Sequence, residues 1–180
     1  MASLCLIILK MNDNKFYPDS EYLSALQQAA EKDGRECVVG GLVKNEDGAI
    51  FVQKRSMDRK LFPGCWDIVG GHVEPGETLY DALAREIEEE TGWRLVEILE
   101  LAKVFDWEEG RDGRVIQNRE FDFLIQVSGN LDRPQIETDK FTDHSWVKEK
   151  NLDVLLENRA VGDTVIYDLA KRCLVGIEGK

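Results

Sequence analysis

One segment, residues 78–91, constrains the fold and the chemistry of this 180-residue chain more than any other part of it. Its apolar side chains recur at the spacing i, i+3, i+4 and i+7, which predicts an amphipathic helix. The buried stripe of this helix is expected to contain Tyr80, Leu83, Ala84, Ile87 and Thr91. Gly92 follows directly, and glycine is the residue at which helices most often end. We therefore expect a short helix that docks its apolar face on a sheet.

Three glutamates lie beside the apolar stripe. At 100° per residue, Glu86, Glu89 and Glu90 fall within about 100° of one another on the helix surface. Neighbouring carboxylates repel, so the pattern indicates a positive counterion. Hard divalent cations such as Mg²⁺ are bound by carboxylates together with phosphate oxygens and water, and Arg85 offers further positive charge from the same turn. The alternative is an ordinary solvated acidic face.

The residues around the helix favour the metal site over the solvated face. The segment Gly71 to Trp93 reads GHVEPGETLYDALAREIEEETGW. It resembles the signature of the Nudix hydrolases, G-x5-E-x7-R-E-U-x-E-E-x-G-U, in which U is a bulky apolar residue. All seven fixed letters match, and only Trp93 departs from the aliphatic residue that the pattern prefers. Chance agreement is on the order of 10⁻⁸ per starting position, so a coincidental acidic run is a poor explanation.

The resemblance implies a fold, a reaction and a set of ligands. The fold would be α/β of the α+β kind, an α/β/α sandwich around a mixed sheet. The reaction would be attack of metal-activated water on a diphosphate linkage in a nucleoside di- or triphosphate or another nucleoside diphosphate derivative. The implied ligands of Mg²⁺ or Mn²⁺ are Glu86, Glu89, Glu90 and the main-chain carbonyl of Gly71 or Gly70. Glu77 and Arg85 resemble a supporting pair, and Gly92 is structural within the motif.

The general base and the substrate contacts are less constrained. The base would come either from Glu86 or from outside the motif, where Glu120 stands at the start of an apolar strand; a solvent-facing edge position is the alternative for Glu120. Arg55, within the basic run 54–60, is a candidate for binding substrate phosphates. Trp66 is a candidate for stacking on a base, as are Phe105 and Trp107, although we expect at least two of these three in the core.

The rest of the chain is predicted to complete a single domain. Residues 36–148 would form the Nudix core, with an N-terminal arm and helix in residues 1–35 and a C-terminal helical segment in residues 149–180. The first helix is expected near residues 20–32. Turn-forming residues 45–48 predict a hairpin between two strands, and a polar, mobile loop is expected at residues 108–113. The predicted strands are 37–44, 49–54, 66–69, 94–106, 115–127 and 141–147, with helix over 154–174 broken near Gly162.

The composition limits the kinds of binding partner and the cellular compartment expected for this protein. The net charge of −12 disfavours long nucleic acids and anionic membranes. The apolar run at residues 4–9 is too short to span a bilayer or to serve as a secretory signal, and it reads as a strand or arm. Four scattered cysteines and two histidines argue against a thiolate zinc site and suit a reducing, cytoplasmic compartment. The sequence leaves the oligomeric state open between a monomer and a homodimer.

Two other functions compete with hydrolysis. Isopentenyl diphosphate isomerases share the fold, but they rely on an active-site cysteine and several histidines, and this chain has only His72 and His144. A non-catalytic module that senses a nucleotide is the second alternative, since a fold can be kept without its chemistry. The complete set Glu86, Glu89 and Glu90 argues against that alternative.

Overall fold

The computed structural model describes residues 11–12, 15–16 and 18–175. The predicted strand at residues 4–9 lies outside them. The helices are α1 (Ser20–Lys32), α2 (Leu79–Thr91) and α3 (Val165–Val175), with a 3-10 helix at Glu149–Leu156. The strands are β1 (Met11–Asn12), β2 (Lys15–Phe16), β3 (Glu36–Val43), β4 (Ile50–Arg55), β5 (Trp66–Asp67), β6 (Val69–His72), β7 (Arg94–Arg111), β8 (Arg114–Ser128) and β9 (Phe141–Val147).

Two sheets form the body of the molecule. The four-stranded sheet has the order β6-β3-β8-β7, in which β3 and β8 are parallel and the other pairs antiparallel. The three-stranded sheet has the order β5-β4-β9 and is antiparallel throughout. Strands β1 and β2 form a separate, antiparallel two-stranded sheet. A mixed sheet with helices is the predicted fold class, and this prediction is confirmed.

The predicted hairpin of the first two long strands is wrong. β3 and β4 belong to different sheets and share a single bridge, between Lys44 and Ile50. The turn itself exists, because Oδ1 of Asn45 accepts from the backbone N–H of Ala49 and the backbone N–H of Asn45 donates to the carbonyl of Ala49. Seven consecutive residues of β3 are buried, as in a central strand covered on both faces. β3 therefore pairs with β6 and β8 instead.

The loop predicted at residues 108–113 is mostly strand. β7 continues to Arg111 and β8 starts at Arg114, so only Asp112 and Gly113 form the turn. Both have positive φ, 53° and 75°, which is the geometry of the two-residue turn that matches strand twist. The polar side chains of this stretch lie on a long hairpin rather than on a mobile loop.

Two apolar clusters hold the layers together. On one face of the four-stranded sheet, α1 and α2 pack on residues such as Val39, Phe121 and Phe123. On the other side, the 3-10 helix and α3 pack on β4, β9 and Leu42. Both α1 and α3 contribute buried side chains, so the segments outside the predicted core also belong to the packed body. Within the described part of the chain, no helix is long and apolar enough to cross a membrane.

Helix α2 has the predicted length but a rotated buried face. Thr78 caps its start through a reciprocal bond with Asp81, and Gly92 ends it in the left-handed conformation, with φ 70°. Tyr80, predicted in the stripe, is 42% exposed, and Ala84 is only partly buried. The positions buried in their place include two acids, Glu86 and Glu90. The helix thus faces the sheet on one side and an acidic cavity on the other.

Candidate active site

Glu86 and Glu90 lie one turn apart on α2 and are both buried, with relative exposures of 6% and 2%. They approach β6 closely because that strand carries glycine. A side-chain carbon at Gly71 would lie 2.5 Å from Cδ of Glu86 and closer still to its Oε1. The glycine at this position therefore makes the room that the Glu86 carboxylate occupies.

The carboxyl group of Glu90 is held by two donors. Its Oε2 accepts from the backbone N–H of Gly70, at 3.1 Å, and from Nε2 of Gln53, at 3.0 Å. Burial, together with the negative charge of Glu86, raises its pKa to about 8, against the smaller opposing effects of these donors. Ionisation of both carboxylates of the buried pair is therefore unfavourable, and a bound cation would relieve this cost.

Arg85 ties the loop that precedes α2 to the helix. Its guanidinium donates to both carboxylate oxygens of Glu77, at 2.8 and 3.0 Å, to Oε1 of Glu86 at 2.7 Å and to the carbonyl of His72 at 3.0 Å. The hydrogen bonds from Arg85 lower the pKa of Glu77. The structure therefore places the predicted Glu77–Arg85 pair in direct, bidentate contact.

The predicted metal ligands are only partly assembled. The side chain of Glu89 is 49% exposed and its partner is Arg85, at 3.3 Å. Among residues 18–175, no group of three or more Asp, Glu, His and Cys side chains converges at metal-ligand distances. The Glu86–Glu90 pair nevertheless fits a hard divalent cation, because both groups offer oxygen donors in a buried, incompletely neutralised position. The role of Glu89 as a ligand stays a prediction.

A cavity of about 310 Å³ opens over this pair. Its walls combine the two acids with three cationic side chains, Arg55, Arg59 and Lys140. Nζ of Lys140 lies 3.9 Å from Oε2 of Glu86 and 2.9 Å from Oε2 of Glu137. Sequence reasoning named Arg55 but missed Lys140, which lies outside every motif and reaches the site only through the loop before β9. The cavity wall therefore combines acidic and basic side chains.

Glu120 lies in the wall of the same cavity, beside a second buried acid that sequence reasoning missed. Asp122 is fully buried and occupies the space above Gly40, its neighbour on β3. Burial and the charge of Asp67 raise the pKa of Asp122 to about 7. Burial, followed by the charges of Asp122 and Asp67, raises the pKa of Glu120 well above its usual value. The two-residue spacing of Glu120 and Asp122 along a strand was the signal that could have found this pair.

The three aromatic residues predicted as candidates for stacking on a base lie in two different environments, the core and the cavity walls. Trp66 is buried in the second apolar cluster and its indole N–H donates to Glu157, at 3.1 Å. It is not in the cavity wall, so the stacking role predicted for it is dropped in favour of core packing. Trp107 lines the cavity, and both Phe105 and Trp107 line a second cavity beside it.

Comparison with known proteins agrees with this geometry. The family model described as NUDIX domain matches residues 34–169. A protein named nucleoside triphosphatase NudI, from Escherichia fergusonii, is 36% identical over 122 residues, 64% of this chain and 83% of that protein. A protein of the same name from Enterobacter sp. is 35% identical over 130 residues, 68% of this chain and 89% of that protein.

Solved structures show the same fold. The MutT NUDIX hydrolase from Burkholderia pseudomallei superimposes with a TM-score of 0.59 at 26% identity, covering 75% of this chain and 97% of that one. The MutT protein from Methanosarcina mazei gives 0.56 at 21% identity, covering 77% and 92%. The chain therefore belongs to the Nudix hydrolase superfamily, of the MutT-like kind.

Proposed function

We propose that this Nudix hydrolase cleaves a phosphoanhydride linkage of a nucleoside triphosphate with water and requires Mg²⁺ or Mn²⁺. The observation that carries the proposal is the cavity in which the buried Glu86–Glu90 pair faces Arg55, Arg59 and Lys140. A polyphosphate chain needs cations on several of its oxygens, and this cavity offers three cationic side chains and a pair of metal-binding carboxylates. The relatives named nucleoside triphosphatase support the choice of substrate class.

The divalent cation would be held by Glu86 and Glu90, with the carbonyl of Gly71 and, from the edge of the site, Glu89. When bound, it supplies charge neutralisation on the diphosphate and lowers the pKa of the attacking water. The protein's own part is to fix the two carboxylates. Arg85 orients Glu86, while Gln53 and the N–H of Gly70 orient Glu90.

The phosphate oxygens would be bound by the cationic side chains of the cavity wall. The side chain of Arg55 is mostly buried, with Nε donating to the carbonyl of Leu61 at 3.0 Å and Nη1 lying 3.7 Å from Asp67. These contacts hold its guanidinium in the cavity wall, which reduces the entropy that phosphate binding costs. Arg59 and Lys140 add further positive charge to the same cavity wall.

The general base is either Glu86 or Glu120, since both line the cavity. Glu86 already accepts a hydrogen bond from Arg85 and adjoins Glu90, whereas Glu120 forms no ion pair within residues 18–175. The two assignments differ in their effect on metal binding. If Glu120 is the base, Glu120→Gln lowers kcat without changing the Mg²⁺ dissociation constant; Glu86→Gln is expected to change both.

The proposal is tested with the substitutions Glu90→Gln and Glu88→Gln, assayed on a panel of nucleoside triphosphates with Mg²⁺ and Mn²⁺. Glu90→Gln should lower turnover by orders of magnitude, because it removes a buried metal-binding oxygen. Glu88 is exposed on the same helix and is the matched control, so its variant should keep wild-type activity. Thermal unfolding of both variants checks that the fold is intact, and ¹⁸O-labelled water locates the attacked phosphorus.

Three results would contradict the proposal. Undiminished turnover in Glu90→Gln would mean that the site is misplaced. Conversion of isopentenyl diphosphate without release of phosphate would favour the isomerase alternative, and absence of turnover with every triphosphate and metal would favour the sensing module.

A further inference from the structure

A second cavity, of about 340 Å³, adjoins the catalytic one. The two share four wall residues, which are Phe62, Asp67, Trp107 and Glu120. A molecule with its phosphates over the Glu86–Glu90 pair can therefore extend into the second cavity without leaving the protein surface. The volume of this cavity lies in the range of small-molecule sites.

The walls of the second cavity are aromatic where it meets the first. The rings of Phe62 and Trp107 contact edge to face, with centroids 6.1 Å apart and planes at 65°, and Phe105 adds a third ring. The backbone of Phe62 has φ 49°, in the left-handed region that a bulky residue rarely adopts. Such strain persists only where the surrounding structure maintains it, and it is concentrated at functional sites.

The polar groups of this cavity include buried donors that lack a well-formed hydrogen bond. The buried indole N–H of Trp107 interacts weakly with the carboxyl group of Glu120, which lowers the pKa of Glu120, but the contact does not reach hydrogen-bond geometry. The side chain of Arg159 is only 6% exposed, and its Nε is buried and unpartnered. Nη2 of Arg159 donates to the carbonyl of Trp66 at 2.6 Å, and Nη1 to Asp163 at 3.3 Å, so the guanidinium is fixed.

We propose that the second cavity binds the nucleobase of the substrate and selects bases that carry a carbonyl oxygen. This rests on the proposed function, because the shared wall places the cavity beside the phosphate site. Flat aromatic walls suit the face of a base. The unpartnered Nε–H of Arg159 suits a base carbonyl, since a buried donor gains most from an acceptor that replaces no existing bond, and the indole N–H of Trp107 has only its weak contact with Glu120 to give up.

The opening of the cavity supplies the complementary acceptor. Glu120 lies in the wall between the two cavities and can accept from an N–H of the base. Guanine, cytosine, uracil and thymine all combine a carbonyl oxygen with an N–H group, whereas adenine has no carbonyl. The inferred order is therefore GTP, CTP, UTP or dTTP over ATP.

The test compares each nucleoside triphosphate with ribose 5-triphosphate, which has the same phosphates and no base. The wild type should show a larger kcat/KM for CTP or GTP than for ribose 5-triphosphate. In Trp107→Ala this preference should fall roughly tenfold, as expected for loss of one base-stacking contact. Trp107→Phe keeps a ring and should retain most of the preference. Val115→Ala, at an exposed position of the same hairpin, is the surface control and should retain all of it.

A second readout is independent of turnover. Isothermal titration with CMP in metal-free buffer should give weaker binding for Trp107→Ala than for the wild type. Equal preference and equal CMP affinity in the two proteins, or a preference for ATP, would overturn the base-site proposal. Failure of the proposed function is distinguishable, because then neither ribose 5-triphosphate nor any nucleoside triphosphate is hydrolysed by the wild type.

Discussion

The substitution Gly71→Ala separates the fold from the chemistry at the Glu86 carboxylate. The added methyl carbon would lie 2.5 Å from Cδ of Glu86, whereas ordinary contact begins near 3.4 Å, so the carboxylate must retreat by about 1 Å. A misplacement of this size costs on the order of 100-fold in rate. Stability should change by less than about 1 kcal/mol, because the obstructing group is the end of a flexible side chain and alanine restricts the unfolded chain.

Steady-state hydrolysis of CTP with Mg²⁺ and urea unfolding measure the two effects. Two other glycines make the comparison specific. Gly110→Ala meets no atom within 4 Å and should be neutral in both assays. Gly70→Ala would place its methyl 3.0 Å from Cα of Gly40, and closer still to the carbonyl of Val39, so it should lose stability instead. Wild-type kcat/KM in Gly71→Ala would refute the claim that the position of Glu86 limits the reaction.

Two further predictions concern stability. The raised pKa of Asp122 means that folding favours its protonated form, so its contribution is present below pH 4 and is lost as the pH rises to about 7. The stability of Asp122→Asn relative to the wild type should therefore increase over that window, by at most about 1.4 kcal/mol per pH unit; a flat difference in urea titrations would contradict this. Leu83→Ala should lower the free energy of unfolding by about 2 to 5 kcal/mol, because Leu83 is fully buried between α2 and the sheet; a loss below 1 kcal/mol would show that the site collapses.

Helix α2 could be predicted because the residues that determine it are close to one another in the sequence. Thr78 provides the cap, Gly92 the end, and the apolar spacing between them the face that docks on the sheet. The prediction that Tyr80 lies in the buried stripe was wrong because tertiary packing determines which face of the helix is covered. The side chains of α2 that line the cavity are shielded by the cavity walls, so Glu86 and Glu90 are buried. Tyr80 lies on another side of the helix and is exposed at the surface.

The parts of the site that the sequence did not reveal depend on long-range pairing. Asp122 faces Gly40 only because β8 pairs in parallel with β3, and Lys140 reaches Glu86 through the loop before β9. The hairpin predicted between β3 and β4 failed for the same reason. A turn signal shows that the chain reverses, but it does not decide which sheet the next strand joins.

Glycines on neighbouring strands explain how the site can be so acidic. Gly40 makes room for Asp122 and Gly71 makes room for Glu86, so two carboxylates are buried where side chains of β3 and β6 would otherwise pack. Glu86 lines the cavity, so in a chain of net charge −12 it places negative charge where the proposed anionic substrate would bind. Arg55, Arg59 and Lys140 offset part of it, and Lys140 is already paired with Glu137. Nucleotide affinity should therefore rise with divalent cation concentration, and more steeply in Lys140→Ala than in the wild type, because the cation then provides a larger share of the positive charge.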